Sequence, residues 1–241
     1  RKRELVRRWN SQLNSRIPLL RRWLNPRGLA GLVALAVKGD FDAAESLALA
    51  ATHHPDPAVL SACRKALRQV NHQTALNGVW VVWERHRSPD LLAFLLEKGR
   101  PASDPVGLRV LSRLVTGKGN SLHPVGLALM PALLQALNDR HPLVAENARR
   151  VLSSLKDQPA VDALCHAWVV NRSSDLESLL VAGEYIAGQP PQARVLTALK
   201  LSRPELLVDS PPQIITPLIE AMQDRDEQIT RLARLLVRNL K

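Results

Sequence analysis

Residues 141–155 read HPLVAENARRVLSSL, and the spacing of the apolar residues in this stretch predicts an amphipathic α-helix. One face of that helix carries Val144, Ala148, Val151, Leu152 and Leu155. Pro142 suits the first helical turn, where an N–H would have no partner in any case. Residues 129–137 repeat the same period with four leucines, and the polar residues 138–141 lie between the two stretches. Together they predict a helical hairpin.

The same pattern returns, without a gap, when the chain is aligned with itself at the shift that places Trp83 on Trp168. We call this shift the repeat spacing. Other matching positions are Arg87 with Arg172, Asp90 with Asp175, Arg109 with Arg194, Asp139 with Asp224, and Arg149 with both Arg64 and Arg234. A register kept over so many positions predicts an internal repeat. We therefore predict two copies, at about 73–157 and 158–241, and a degenerate partial copy at 29–72.

Helical periodicity extends over most of the remaining chain. Further helices are predicted near 57–71, 73–86, 89–98, 105–115, 158–171, 174–182, 190–200, 212–223 and 226–240. No stretch of useful length shows the alternation of a β-strand. Each copy then holds about five helices of ordinary length. We divide them into a two-helix unit and a three-helix unit, with 89–98 as a helix laid crosswise.

The two-helix unit resembles a HEAT repeat. Asp139 lies in the turn and is followed by Pro142, Val144, Ala148 and Leu152, and the second copy repeats this with Asp224, Ile229, Ala233 and Val237. HEAT repeats often carry arginine directly after the turn-side valine, where this chain has Ala145 and Thr230. The three-helix unit is more similar to an armadillo repeat. The whole unit, with its Trp-x3-Arg and Arg-Val-Leu segments, is similar to helical regions of bacterial signalling proteins that also carry WD-repeat propellers.

This resemblance covers most of residues 29–241 and implies an all-α fold. The implied architecture is an α-solenoid of HEAT/armadillo-like repeats with a super-repeat of about 85 residues. The usual task of such a solenoid is to hold another macromolecule. We therefore predict a non-catalytic protein–protein interaction scaffold or adaptor, as a fragment of a larger multidomain protein. The alternative is a helical-repeat protein that binds nucleic acid through its basic residues.

The composition is that of a globular, helical chain. Of the 241 residues, 46% are apolar and 23% charged, which excludes a disordered or fibrous chain. Aromatic residues make up only 3%, so Leu, Ala and Val must form the core, as in close-packed helices. Cys63 and Cys165 are too few for a disulfide framework, and we predict a reducing, cytoplasmic location. No signal peptide is visible, and the apolar stretch 29–37 is too short to span a bilayer.

Basic charge is concentrated at the N-terminus. The formal net charge is +11, and residues 1–28 contribute +8 of it, with nine basic side chains and one acidic one. Pro18 should divide this segment into two helices, the second capped by Ser15, and Asn25-Pro26-Arg27-Gly28 should end it. We therefore predict a separate basic amphipathic helical segment over 1–28. Its apolar stripe consists of Leu5, Trp9, Leu13, Ile17, Leu20 and Leu24.

Three interpretations of residues 1–28 stay open. The segment docks on an anionic membrane surface, on nucleic acid or on a protein partner; it covers the end of the fold with its arginines in water; or it follows a membrane span that precedes this sequence. Its candidate partner-binding residues are Arg3, Arg7, Arg8, Trp9, Arg21 and Arg22.

Two tryptophan–arginine pairs are further candidates. Trp83 and Arg87 are four residues apart, and Trp168 and Arg172 repeat them. On a helix the arginine can lie over the indole face, and an exposed pair would anchor a partner. We favour the interpretation in which the tryptophan packs in the core, while the arginine holds helix-end carbonyls or reaches Asp90 or Asp175. Arg109 and Arg194 are predicted to bridge neighbouring units.

No motif in the chain indicates catalysis. The seven histidines show no metal-ligand spacing, and the two cysteines are about a hundred residues apart. Gly117-Lys118-Gly119 lacks the spacing of a phosphate loop. We therefore predict that the chain is not an enzyme and has no catalytic residue, cofactor site, metal site or small-molecule substrate. A protein partner is the predicted ligand.

Overall fold

Helices and the turns between them make up the whole of the chain that the structure describes. In this computed structural model the described residues are 2–14, 18–207 and 212–239, without the side chains of 18–25 and 239. Fourteen α-helices and four short 3-10 helices lie in these ranges, and no β-strand does. The all-α fold class predicted from the sequence is therefore confirmed for these ranges.

Residues 1–118 form the first of two compact units. Its helices are α1 (Lys2–Leu13), α2 (Pro18–Val37), α3 (Phe41–His53), α4 (Pro57–Leu67), α5 (Gln73–His86), α6 (Pro89–Lys98) and α7 (Val106–Val115). Helix α3 is central, because α1, α2, α4, α5 and α6 all pack against it. The core includes Leu47 of α3 and Leu76 of α5. Beside them, the rings of Trp80 and Trp83 meet edge to face with centroids 5.5 Å apart.

Residues 119–241 form the second unit. Its α-helices are α8 (Met130–Ala136), α9 (Pro142–Leu152), α10 (Gln158–Asn171), α11 (Ser174–Ala182), α12 (Pro191–Lys200), α13 (Ile215–Ala221) and α14 (Glu227–Asn239). Short 3-10 helices cover Gly119–Leu122, Leu127–Leu129, Pro204–Leu207 and Pro212–Ile214. Helix α12 packs against α10, α13 and α14, and α10 also packs against α8 and α11. Leu152 and Leu196 are buried in this unit.

The helices lie close to where the sequence predicts them. Helices α5, α6, α10 and α11 begin and end at the predicted residues, whereas α4 and α9 end three or four residues earlier than predicted. The starts of six pairs of helices are separated by the repeat spacing: α4 and α9, α5 and α10, α6 and α11, α7 and α12, α8 and α13, and α9 and α14.

Hydrogen bonds around the loops before α7 and α12 recur at the same spacing. They run from Gln73 Nε2 to the Pro101 carbonyl (2.9 Å), from Gln158 Nε2 to the Ile186 carbonyl (3.1 Å), from the Ala102 N–H to Ser112 Oγ (2.8 Å) and from the Ala187 N–H to Thr197 Oγ1 (3.1 Å). The two loops are therefore held in the same way, by a glutamine in both copies and by a hydroxyl that comes from serine in the first and threonine in the second.

Two glycines of α2 allow α1 to pack closely against it. A Cβ at Gly28 would lie 2.5 Å from the backbone nitrogen of Leu13, and a Cβ at Gly31 would lie 2.3 Å from the Trp9 ring. The prediction that Asn25-Pro26-Arg27-Gly28 ends a helix is wrong, because α2 continues through these residues to Val37. Gly28 serves the contact with α1, where no side chain would fit.

The buried side of α1 also differs from the predicted stripe. Val6 and Leu13 are buried, whereas Leu5, a member of the predicted stripe, is 40% exposed. The division of the segment at Pro18 is confirmed, because α1 ends at Leu13 and α2 begins at Pro18. The predicted cap, Ser15, lies outside the described residues, as do Ile17 and the side chains of Leu20 and Leu24.

No helix in the described ranges is both long enough and apolar enough to cross a bilayer.

Candidate functional site

The two tryptophan–arginine pairs have the same geometry. The indoles of Trp83 and Trp168 are buried. Arg87 and Arg172 follow α5 and α10 in the left-handed conformation, with φ of 50° and 49°. Each backbone N–H donates to the tryptophan carbonyl at 2.7 Å, and each guanidinium carbon lies 4.5 or 4.6 Å from the indole centroid. These pairs close helix ends, and neither indole is accessible to a partner in this structure.

Arg172 has a different ionic partner from the one predicted. Its Nη2 lies 2.5 Å from Oδ2 of Asp224, whose side chain is largely buried. Asp175, one of the two predicted partners, instead lies 3.5 Å from Arg149. Arg172 therefore joins the end of α10 to the turn between α13 and α14. Positions 52 residues apart meet here, and the spacing along the sequence gives no sign of this contact.

A second ionic contact holds the same turn. Lys200 Nζ lies 2.7 Å from Asp226 Oδ2 and 2.6 Å from Glu177 Oε1. Burial favours the neutral form of both Lys200 and Asp226, but the hydrogen bond between them outweighs it, with Glu177 adding to the effect on the lysine. The pKa of Lys200 is therefore raised and the pKa of Asp226 lowered. Asp226 Oδ1 also accepts the Gln228 N–H at 2.9 Å, which caps α14.

Helices α4, α9 and α14 carry an arginine at the same repeat position. In α4, Nη2 of Arg64 lies 2.5 Å from Oδ2 of Asp90, in the first turn of α6. In α9, Nη2 of Arg149 lies 3.5 Å from Oδ1 of Asp175, in the first turn of α11. In α14, Arg234 is exposed and has no ion-pair partner within 2–14, 18–207 and 212–239. Arg234 thus stands at the same repeat position as Arg64 and Arg149, each of which binds the start of another helix.

Apolar side chains of α13 and α14 are also more exposed to solvent than those at the matching repeat positions of α8 and α9. Met130 of α8, against which α10 packs, is 1% exposed, and Ile215 at the matching position of α13 is 52% exposed. Val151 and Leu152 of α9 are buried, and their counterparts in α14, Leu236 and Val237, are half-buried. We refer to Ile215, Arg234, Leu236 and Val237 as the terminal face.

A groove of about 400 Å³ runs along α14 beside Arg234. Three arginines line it, at positions 231, 234 and 238, together with Leu235 and the acidic Asp224 and Glu227. None of the three arginines has an ion-pair partner in the described part of the chain. The groove can therefore accept acidic groups.

The predicted N-terminal site residues lie mainly on the solvent side of α1. Arg7 and Arg8 are exposed, and the Arg8 guanidinium carbon lies 5.6 Å from the centroid of the half-buried Trp9 ring. Arg3 Nε lies 3.8 Å from Oδ2 of Asp42 in α3, and both side chains are well exposed. Such a pair contributes little to stability. The side chains of the other two predicted residues, Arg21 and Arg22, lie outside the described residues.

The contact of Arg194 is local. Its Nη2 donates to the Leu206 carbonyl at 3.3 Å, in the 3-10 helix that follows α12. Arg109 is half-buried at the matching position of α7, and its carbonyl accepts from Ser112 Oγ at 3.0 Å. These contacts give no support to the predicted bridge between neighbouring units.

Both cysteines are free and buried, and burial raises the pKa of their thiols to about 11 for Cys63 and about 12 for Cys165. The thiols are therefore protonated at neutral pH, and a protonated thiol is a poor nucleophile. Within the ranges that the structure describes, no three His, Cys, Asp or Glu side chains are placed to hold a metal ion.

The terminal face was not identified from the sequence. The alignment at the repeat spacing already places Arg64, Arg149 and Arg234 at one position, and Asp90 and Asp175 at another. It does not show that these two positions meet, because they lie on different helices. The constant separation of 26 residues between arginine and aspartate in both copies is the signal that could have paired them.

Comparisons of the chain with protein-family models, with curated proteins and with solved structures returned no match.

Proposed function

We propose that this chain is an α-solenoid of HEAT- and armadillo-like repeats, arranged as a super-repeat, and that it serves as a non-catalytic protein–protein interaction scaffold. The six pairs of helix starts at the repeat spacing support the repeat. Helices α3–α4, α8–α9 and α13–α14 correspond to the two-helix unit, and α5–α7 and α10–α12 to the three-helix unit. Repeat proteins reuse the same residues where neighbouring units stack, as the pairs Arg64–Asp90 and Arg149–Asp175 do.

The terminal face is the observation that carries the scaffold function. A single exposed apolar residue needs no explanation. Here, however, Ile215 and two half-buried apolar side chains of α14 stand at positions that are buried in the preceding copy, and Arg234 stands at the position of two ion-paired arginines. Apolar side chains beside arginine are typical of the centres of protein interfaces. The proposed ligand is therefore a protein, bound at this face.

The proposed scaffold works in a reducing compartment, and cytoplasm remains our prediction for its location. Two free, buried thiols support this, because cysteines in oxidising compartments usually form disulfides.

Capture of partners from an extract of the source cells tests the scaffold function. The full chain and its Ile215→Asp/Arg234→Glu variant would be immobilised, and the bound proteins would be quantified by mass spectrometry. We expect at least one protein that the wild type retains and the variant loses, because a buried charge mismatch weakens an interface strongly.

The matched control is Leu143→Asp/Arg150→Glu, which likewise replaces one aliphatic residue and one arginine by acids, at two exposed positions of α9. This control should retain the captured protein, and circular dichroism should show equal helicity in all three chains. A set of bound proteins that does not depend on the terminal face would contradict the proposal.

Binding of a nucleic acid or an anionic membrane through α1 is the second candidate function. The observation in its favour is that Arg7 and Arg8 are exposed and have no ionic partner in the ranges described. Deleting α1 would be a poor test, because α1 packs against α2 and α3. Arg7→Gln/Arg8→Gln leaves the buried Val6 and Leu13 in place, and should weaken binding to an oligonucleotide or to anionic liposomes and reduce its salt dependence. Unchanged binding would contradict this candidate.

A further inference from the structure

We propose that the terminal face docks a partner protein through a helical hairpin of defined chemistry. The first helix of that hairpin is largely apolar, and the second begins with the sequence Ser-x-Asp-Leu. This proposal rests on the scaffold function and specifies the chemistry of the partner.

Two hairpins inside the chain already bind in this way. Helix α3 packs against both α5 and α6, and Asp90 of α6 pairs with Arg64 of α4. Helix α8 packs against α10, and Asp175 of α11 pairs with Arg149 of α9. In each case an apolar helix packs against a two-helix unit, and the arginine of that unit pairs with the aspartate at the start of the following helix. Helices α13 and α14 form the third such unit, with Arg234 at the arginine position.

The starts of α6 and α11 define the chemistry of the second helix. They read Ser88-Pro89-Asp90-Leu91 and Ser173-Ser174-Asp175-Leu176. The serine is the N-cap residue in both, and both leucines are buried. Aspartate is favoured in the first turn by the positive end of the helix dipole. The same residue therefore stabilises the start of the helix and pairs with arginine. A partner that reproduces these contacts therefore needs serine, aspartate and leucine at the same spacing.

Charge at the groove favours the same occupant. Arg231, Arg234 and Arg238 outnumber the two acidic residues of the groove, Asp224 and Glu227. Asp224 is already paired with Arg172. An aspartate from a partner would therefore meet three arginines with little competition from the acidic side chains of the groove.

A second copy of the chain cannot supply the hairpin from its folded state. Asp175 is paired with Arg149, Asp90 is paired with Arg64, and the tryptophans Trp80, Trp83 and Trp168 of α5 and α10 are buried. A second copy would have to unfold locally to release either hairpin. A folded second copy is therefore not the source of the proposed hairpin.

Binding of a hairpin probe to the full chain tests the proposal. The probe is a fluorescent peptide of residues 158–201 of this chain, which contains α10, α11 and α12, and binding is read by fluorescence anisotropy. We expect a Kd in the micromolar range. Arg234→Glu should weaken binding by about tenfold or more, because it places like charges opposite each other. Arg149→Glu is the matched control and should leave the affinity unchanged.

A charge exchange between chain and probe identifies the contact. The probe with Asp175→Arg should bind the Arg234→Glu chain more tightly than it binds the wild type. The control probe with Glu184→Arg has the same net charge, and its changed residue lies beyond the end of α11. It should not discriminate in favour of the Arg234→Glu chain.

Circular dichroism shows whether the probe is helical on its own. A helical probe that fails to bind at about 100 µM overturns the proposal. For a probe that is not helical, the same segment is joined after Lys241 by a flexible linker, and the amides of α14 must then exchange more slowly. Unchanged exchange in that fusion overturns the proposal.

Two further results would also overturn it. One is loss of binding in Arg149→Glu but not in Arg234→Glu, which would mean that the probe displaces α10 and α11. The other is self-association of the chain that Arg234→Glu abolishes, which would assign the face to a second copy. If the probe fails while capture from extract still depends on the terminal face, only the hairpin chemistry is wrong and the scaffold function stands.

Discussion

Helices α9 and α14 begin at matching repeat positions and have the same inner side but different outer sides. Val144 and Ala148 of α9 are buried, and so are Ile229 and Ala233 at the matching positions of α14. We call the positions of Arg149 and Leu152 in α9, and of Arg234 and Val237 in α14, the outer side of each helix. Leu152 continues the apolar face of Val144 and Ala148 into the last turn, where it adjoins Arg149. Leu152 is buried but Val237 only half-buried, and Arg149 is ion-paired but Arg234 is not. The repeated sequence thus specifies the helix and its inner side, whereas the neighbouring helices determine how much of the outer side is covered.

The largest difference in stability between the two helices is expected when Leu152 and Val237, at matching positions of their outer sides, are truncated to alanine. Leu152→Ala should lower the free energy of unfolding by about 2–5 kcal/mol, because it leaves a cavity in the core. Val237→Ala, at the matching position, should cost less than about 1 kcal/mol, because its side chain is partly in water already. Urea denaturation of both variants measures the two losses. Equal losses would mean that α14 is covered as completely as α9.

The starts of the two helices should differ in their dependence on pH. His141 makes no side-chain cap hydrogen bond to α9, whereas Asp226 caps α14 and pairs with Lys200. The lowered pKa of Asp226 stabilises the fold above its unfolded value of about 3.9, and this stabilisation is lost as the pH falls through the lower folded value. Asp226→Asn should cost about 1–3 kcal/mol at neutral pH.

Urea denaturation at neutral pH and at about pH 3 checks this assignment. The effect of Asp226→Asn should shrink at the lower pH, because there the wild-type chain takes up a proton at this carboxyl group when it unfolds. Asp157→Asn is the matched control, because Asp157 precedes α10 without capping it through a side-chain hydrogen bond. A similar pH dependence for both variants would show that the Lys200 contact does not set the pKa of Asp226.

The smallest difference in stability is expected when the two arginines at matching positions are replaced by alanine. The pair Arg149–Asp175 is about half exposed on both sides, so Arg149→Ala should cost about 0.2–1 kcal/mol and less at high salt. Arg234→Ala should leave the stability unchanged, because Arg234 has no ion pair in the described part of the chain. A double-mutant cycle with Asp175→Ala isolates the interaction. A coupling energy between Arg234 and Asp175 in that cycle would contradict the assignment of Arg149 as its partner.

Local signals in the sequence are sufficient to place the helices. Apolar period, Ser88 before α6 and Gly99 after it mark the ends of that helix. Ser173 likewise precedes α11, whereas Glu184 stands at the position that matches Gly99. Contacts between distant helices are not predictable from these signals. The sequence around Gly28 is typical of a helix end, whereas its contact with α1 depends on how two helices pack. Sequence spacing pairs Arg172 with a nearby aspartate, but its partner, Asp224, is brought close only by the tertiary fold.

Hydrogen exchange in the full chain compares α9 and α14 under identical conditions. Peptides covering 142–152 and 227–239 would be followed by mass spectrometry at one pH and temperature. If the outer side of α14 is open, its amides should exchange about tenfold faster or more than those of α9, because fewer buried contacts must be broken to open the helix. Equal protection of the two helices in the isolated chain would contradict the interpretation of α13 and α14 as a repeat unit with an uncovered face.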